Sequence, residues 1–170
     1  MSLHFDVNSR EESYAARMLT KSLQERGYVI NANSGDYSIK FLIDKRRYDA
    51  EAFAIIPEGN VIKIIGGDYR GLIYGALSLS EDLRNEILLD NAVARSEKPK
   101  LMLRAVKYDL PWDTYRHSEA LNLHDETCRD PKYWEAFLDM MAENRLNALS
   151  LWNLHPYPFM IIPKNYPEAS

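Results

Sequence analysis

The chain has 170 residues, of which 46% are hydrophobic, and its formal net charge is −4. This composition is typical of a soluble globular protein, and the length fits one domain or a small domain followed by part of another. Without a basic cluster or an apolar run of roughly 18 residues, we expect neither a nucleic-acid partner nor a membrane span. A single cysteine excludes an internal disulfide. The amino terminus has no signal-peptide pattern, and the cellular location stays open.

The first predicted elements are a short strand at residues 3–7 and a helix. Ser9 and Glu12 form a capping-box pattern, which marks a helix amino terminus. Apolar residues then recur at helical spacing until Gly27. They are Ala15, Met18, Leu19 and Leu23. The pattern predicts an amphipathic helix between Ser9 and Gly27.

Three apolar runs follow, at residues 37–43, 52–56 and 61–65, and polar turns separate them. These runs predict neighbouring antiparallel strands. Asp68 can then cap a second helix, whose apolar stripe consists of Leu72, Gly75, Ala76, Leu79 and Leu83. Helices and strands in this order predict an α+β fold, a two-layer sandwich with both helices on one face of a mainly antiparallel sheet.

A polar stretch at residues 95–100 contains a proline and is predicted to be a linker. We therefore place a first domain at residues 1–95 and a second segment at residues 100–170. The second segment begins with an apolar strand at 101–110 and a long polar loop. Asp130 and Pro131 are typical of a helix start, and residues 148–152 form another apolar strand. A strand, helix and strand in succession predict a βαβ unit with parallel strands.

Two stretches resemble known enzymes. Residues 64–79, IIGGDYRGLIYGALSL, resemble the pattern G-x-x-x-R-G-x-x-Y-G-x-x-x-L in the accessory domain before the catalytic barrel of β-N-acetylhexosaminidases and α-glucuronidases, the second domain of chitobiase-type enzymes. Residues 103–109, LRAVKYD, and 144–155, NRLNALSLWNLH, are similar to the first two barrel strands of these enzymes. Hexosaminidases have aspartates where residues 156–159 read PYPF, which favours an α-glucuronidase-like or an uncharacterised glycoside hydrolase.

This resemblance implies that the second segment is an incomplete β/α (TIM-type) barrel. Such a barrel carries its catalytic groups at the carboxyl ends of several strands, and glycoside hydrolysis typically needs two carboxylates. The resemblance places both carboxylates on later strands. We therefore expect a fragment of a glycoside hydrolase acting on a complex glycan, with no catalytic residue in this chain and no cofactor.

The candidate substrate-binding residues lie at the starts and ends of the two barrel-type strands. Arg104 can bind a sugar hydroxyl or carboxylate through its guanidinium, or it can be a structural arginine at the strand start. The other candidates can stack on a sugar or hydrogen-bond to it. They are Tyr108 and Trp112 after the first strand, and Trp152, Asn153 and His155 after the second. Asp109 is interpreted as a solvent-facing or loop-capping residue, because no partner carboxylate can be named.

Two other residue groups suggest ligand sites, and we interpret the first as a polar loop at the rim of the active site and the second as structural. One group lies in the predicted polar loop and has the residue types of a zinc site without a metal-ligand spacing, so no metal is expected. It contains His117, Glu119, His124, Asp125 and Cys128. The other is the glycine group Gly66, Gly67 and Gly71, which lacks a phosphate-binding spacing and is predicted to allow a tight turn and close helix packing.

Two alternatives to the fragment of a glycoside hydrolase stay open. The chain can be a non-catalytic module that binds carbohydrate or protein, or a free-standing enzyme that uses Asp109, His117 and His155. A barrel fragment exposes apolar strand edges, so we expect such a chain to self-associate. A self-contained module is expected to be monomeric.

Overall fold

The computed structural model describes residues 1–31, 36–110, 119–152 and 164–165. The chain divides into two compact units, Met1–Met102 and Leu103–Ser170. The first unit contains β1 (Ser2–His4), α1 (Arg10–Glu25), β2 (Ser38–Ile43), β3 (Phe53–Glu58), β4 (Val61–Gly66), α2 (Tyr69–Arg84), a 3-10 turn (Leu89–Asn91) and β5 (Arg95–Glu97). The second contains β6 (Ala105–Asp109), α3 (Glu119–Arg129), α4 (Pro131–Glu143) and β7 (Ala148–Trp152). Within these ranges, no helix has the length and apolar character needed to cross a membrane.

Helix α1 begins as the capping-box pattern predicts. The Ser9 hydroxyl accepts a hydrogen bond from the Glu12 N–H at 3.2 Å. The Glu12 carboxylate in turn accepts the N–H of Asp6 at 2.7 Å, so the two side chains satisfy amide groups around the helix start. The helix ends before Gly27, whose φ of 82° is readily available to glycine.

The five strands of the first unit form one mixed sheet in the order β1-β2-β4-β3-β5. Strands β3 and β4 form the predicted antiparallel hairpin, with Glu58 opposite Val61. The prediction of a mainly antiparallel sheet is wrong, because β2 pairs in parallel with both β1 and β4 and does not pair with β3. The most apolar run of the sheet, β4, takes the central position, where both of its edges are hydrogen-bonded.

Helices α1 and α2 share one core with the sheet, as predicted for a two-layer α+β unit. The core includes the fully buried Leu19 and Leu23 of α1 and Leu72 and Leu79 of α2. The strands contribute the side chains that point to this face: Ile39, Phe41, Phe53, Ile55, Ile62 and Ile64. Burial of these apolar side chains is the main force holding this unit together.

The start of α2 requires close contact between backbones. Asp68 caps the helix by accepting the Gly71 N–H at 2.8 Å, and it also accepts the Glu51 N–H at 3.0 Å. A Cβ atom at Gly71 would lie 2.1 Å from the Ala52 carbonyl oxygen. The glycine therefore allows the helix to approach the loop before β3, which confirms the predicted structural role.

The segment predicted to be a linker begins with a strand. Residues Arg95–Glu97 form β5 and pair with β3 in antiparallel register. The side chain of Arg95 contacts the Asp82 carboxylate at 2.6 Å and donates to the Ser78 hydroxyl at 2.9 Å. These contacts with α2 hold a short polar edge strand on the sheet, which its composition alone does not predict.

The second unit contains the predicted βαβ unit. Strands β6 and β7 pair in parallel, and the register runs from Ala105 opposite Ala148 to Asp109 opposite Trp152. Asp130 caps α4 and accepts the Lys132 N–H at 2.9 Å, as the sequence predicts. Residues 119–129, expected within a polar loop, instead form α3.

Candidate functional site

The β6–β7 pair has two faces of different chemistry. Side chains alternate between the faces of a strand, and parallel partners share a face. One face carries small and polar residues, and we call it the open face. Its residues are Ala105, Lys107, Asp109, Ala148, Ser150 and Trp152. The opposite face carries Val106, Tyr108, Leu149 and Leu151, and its Tyr108 contacts α4. The polar groups of the open face lie toward the carboxyl ends of the strands.

Three side chains meet at the carboxyl edge of the open face. The Lys107 ammonium lies 2.8 Å from the Asp109 carboxylate and 4.2 Å from the centre of the Trp152 ring. The Leu110 N–H donates to the Trp152 carbonyl at 2.8 Å, which continues the pairing past the end of β6. A cation, an anion and an aromatic ring therefore share one exposed surface.

Tyr108 lies on the opposite face, among aromatic side chains of α4. Its ring centre is 5.1 Å from Trp134 and 5.3 Å from Phe137. Its phenol oxygen accepts the Tyr133 hydroxyl at 3.0 Å and lies 3.5 Å from Cys128 Sγ. Burial, followed by these hydrogen bonds, raises the pKa of the Tyr108 phenol well above its ordinary value. The contact of Tyr108 with sugar stays a prediction. In the structure its phenol oxygen already has Tyr133 and Cys128 as neighbours.

Helix α3 is attached to the same strand end through His124. The His124 Nε2 donates to the Asp109 carbonyl oxygen at 2.9 Å, and its ring stacks on Tyr108 at 5.6 Å. Asp125 pairs with Arg129 within α3 at 2.8 Å. Among the described residues, no three His, Cys, Asp or Glu side chains are grouped to hold a metal ion.

Arg104 lies at the amino end of β6, away from the edge where Asp109 and Trp152 meet. Its side-chain Nε donates to the Arg145 carbonyl at 2.6 Å, and its backbone N–H donates to the Asn147 side-chain oxygen at 2.9 Å. The Asn147 N–H returns a bond to the Arg104 carbonyl at 2.9 Å. We call this group the Arg104 clasp. Sugar binding by Arg104 stays a prediction, and these contacts favour a structural role.

Of the predicted site residues that the structure describes, Arg104, Tyr108 and Trp152, no two lie on the same face at the same end of the strand pair. Trp152 lies on the open face beside Asp109. Trp112, Asn153 and His155, as well as His117, lie outside the described residues. Lys107 was missed by the sequence analysis, although it lies two residues before Asp109 in a strand and must therefore share its face.

Comparison with known proteins finds a likeness only among solved structures. No family model matches the sequence, and no curated protein matches it. A GH138 enzyme that targets pectin rhamnogalacturonan II is 29% identical, with a TM-score of 0.79 over 98% of this chain. The chain covers 20% of that enzyme, so it spans about a fifth of its length.

More distant structures share the fold. The 4-O-methyl-α-glucuronidase BtGH115A, specific for decorated arabinogalactans, is 16% identical, with a TM-score of 0.61 over 88% of this chain and 24% of its own. The N-acetyl-β-hexosaminidase of Streptomyces plicatus is 18% identical, with a TM-score of 0.56 over 88% of this chain and 29% of its own. The chain thus has the fold of one part of glycoside hydrolases that act on complex glycans.

Proposed function

We propose that this chain supplies the accessory domain and the first βαβ unit of the catalytic barrel of an α-glucuronidase-like glycoside hydrolase. The enzyme would act on a complex glycan, and the 170 residues alone would be inactive. The 29% identity to the GH138 enzyme over nearly the whole chain supports a glycosidase. The fold shared with BtGH115A supports an α-glucuronidase-like enzyme.

The observation that carries this proposal is the exposure of apolar side chains in the second unit. Of the side chains described there, Met141 is the one buried hydrophobic residue. Leu123 is 64% exposed, Leu138 50%, Leu151 44% and Trp152 42%. Parallel sheets are normally covered on both faces and contain more than two strands. Further strands and helices would bury these surfaces.

The expected lack of activity follows from the number of carboxylates. Among the described residues of the open face, Asp109 is the one carboxylate, and it is paired with Lys107. Hydrolysis of a glycosidic bond typically requires a proton donor and a second carboxylate about 5–10 Å away. In the proposed barrel, the missing carboxylates come from other strands.

Activity measurements on two proteins test the proposal. The 170-residue chain and the longest natural protein that contains it are assayed for sugar release from uronide-decorated arabinogalactan, rhamnogalacturonan and chitin oligosaccharides. We expect release from a uronide-containing glycan by the longer protein alone. Equal activity of the short chain would contradict the proposal, as would a natural protein that ends at residue 170.

Sedimentation velocity gives a second test on the short chain. Exposed strand edges and apolar surfaces promote association between copies, so we propose concentration-dependent oligomers of the 170-residue chain. The longer protein serves as the control, because its remaining strands would cover these surfaces. A short chain that stays monomeric and unfolds in one cooperative step would favour the alternative of a self-contained module.

One observation favours that alternative, a module that binds carbohydrate or protein. The first unit has a groove of about 600 Å³ between β1 and α1. It is lined by apolar Leu3, Phe5 and Ile30 and by the basic residues Arg17 and Lys21. Binding of a glycan or peptide by residues 1–102 alone, lost in Phe5→Asp, would support a binding module.

A further inference from the structure

Lys107 has an unusual position for a lysine. It lies in the middle of β6, on the open face of a parallel strand pair. The nearby positions of this face hold the small residues Ala105, Ala148 and Ser150. Strands of parallel sheets are normally apolar because both faces are covered. The Lys107 side chain is exposed in this structure, and the proposed closed barrel would remove much of its hydration. A charge buried in that way requires a partner.

The contacts of Lys107 with the described residues do not supply that partner in full. The side chains of Lys107 and Asp109 are each 58% exposed, and exposed ion pairs contribute at most about 1 kcal/mol. A lysine ammonium has three donors, and one of them points to Asp109. The contact with the Trp152 ring is electrostatic and needs no hydrogen bond. The ammonium thus keeps donors for a ligand.

The three side chains match the parts of an anionic sugar. An indole face packs on the C–H face of a pyranose, a carboxylate accepts hydrogen bonds from hydroxyls, and an ammonium binds an anion. We propose that Lys107 is the specificity-determining residue that recognises an anionic substituent of the sugar, a carboxylate or a sulfate ester. This inference rests on the proposed function as a glycosidase.

The geometry also gives Lys107 a defined position before binding. Its ammonium lies on one face of the Trp152 indole, so a sugar that stacks on that face displaces it. Asp109, two residues along the same strand, limits how far the ammonium moves. An anionic sugar forms a new ion pair with the displaced ammonium, whereas a neutral sugar does not. The resulting difference in binding free energy makes the site selective for anionic sugars.

Calorimetric binding to the longest natural protein containing these residues tests the inference. The ligands are oligosaccharides with uronate, with sulfated sugar and with neutral sugar at the same position. The variants are Lys107→Met, Lys107→Arg and the control Lys63→Met. Lys63 also lies in a strand and pairs with Glu58 at 2.7 Å, in the first unit.

We expect Lys107→Met to weaken binding of one anionic ligand by about tenfold or more and to leave neutral ligands unchanged or tighter. Lys107→Arg should retain most of the affinity, and Lys63→Met all of it. Whether the uronate or the sulfate ligand loses affinity identifies the anion. Equal loss for anionic and neutral ligands, or no loss, overturns the inference. If the wild-type protein binds none of the three ligands, the proposed function itself fails.

Discussion

Replacing Gly71 by alanine tests how closely α2 approaches the sheet. The added Cβ would lie 2.1 Å from the Ala52 carbonyl oxygen, 3.0 Å from its carbon and 3.2 Å from the Glu51 carbonyl carbon. Ordinary contacts of this kind begin at about 3.4 Å, so helix and loop must separate by more than about 1 Å. That movement would also strain the hydrogen bond from the Gly67 N–H to the Ala52 carbonyl, now 2.9 Å.

Two costs and one gain determine the result. Overpacking against a rigid backbone costs about 1–3 kcal/mol, and weakening a backbone hydrogen bond costs about 1 kcal/mol. Alanine in a helix recovers at most about 1 kcal/mol relative to glycine. We expect Gly71→Ala to lower the free energy of unfolding by about 2 kcal/mol.

Gly75→Ala is the matched comparison, because it lies in the same helix and gains the same helix propensity. Its Cβ would lie 2.6 Å from Ile64 Cγ2 and 3.3 Å from Phe53 Cβ, which are side-chain atoms of the core and not backbone atoms. Overpacking of core side chains costs about 1–3 kcal/mol and alanine recovers at most about 1 kcal/mol, so we expect a loss of about 1 kcal/mol, smaller than that of Gly71→Ala. The two variants together separate backbone contact from helix propensity.

Urea unfolding followed by far-ultraviolet circular dichroism measures both variants. The tryptophans, at positions 112, 134 and 152, all follow the first unit, so their fluorescence reports on the second unit. The lower stability of Gly71→Ala should shift the dichroism transition to lower urea concentration and leave the fluorescence transition unchanged. A Gly71→Ala variant as stable as wild type, or less affected than Gly75→Ala, would refute the close approach of α2.

Three further changes follow from the hydrogen bonds and the pKa shift. Asp68→Ala removes the acceptor for the Gly71 and Glu51 amides and should cost about 1–2 kcal/mol in urea unfolding; Asp68→Asn should retain most of that stability. The folded protein holds the pKa of the Tyr108 phenol above its ordinary value. Above about pH 10 this phenol therefore loses its proton more readily in the unfolded chain than in the folded protein, and the free energy of unfolding falls as the pH rises. Tyr108→Phe should flatten this fall between about pH 9 and pH 11 in urea unfolding, and an unchanged slope would refute the burial. Arg104→Lys loses the Nε bond to the Arg145 carbonyl and should lower the fluorescence-detected stability by about 1 kcal/mol, whereas no change would argue against the clasp.

Local patterns predicted the helix boundaries well. Ser9 and Asp68 both cap their helices as predicted, each by accepting the N–H of the residue three positions later. Capping involves only residues that are close in the sequence. Gly71 was correctly predicted to allow close packing, since only glycine fits beneath the Ala52 carbonyl. Such features are determined by short stretches of sequence and can be predicted from them.

Features that depend on distant contacts were predicted less well. The apolar pattern of residues 37–43 predicts a strand but not its neighbour, and β2 pairs with β4 across the intervening hairpin. Helix α3 was missed although two of its described residues, His124 and Cys128, lie one turn apart and both contact Tyr108. Neither is a long apolar side chain of the kind that marks a helix stripe. A hydrophobic pattern does not detect a helix of this kind.

The arrangement of the candidate residues depends on strand register, which the sequence does not give. The sequence indicates that Trp152 ends a strand, yet only the register of β6 and β7 places it beside Asp109. The same register separates Tyr108 from these residues, because a shift of one position changes the face. Arg104 was predicted either to bind sugar or to be a structural arginine, and the clasp that favours the structural role depends on the turn around Arg145.

The central position of β4 has a consequence for folding. The hairpin with β3 closes over two residues, so it forms at small entropic cost and can serve as an early nucleus. Strand β2 can complete its parallel pairing only once that hairpin presents a free edge. Mutations in the Gly59–Asn60 turn should therefore slow refolding of residues 1–102, whereas mutations in β1 should mainly accelerate unfolding.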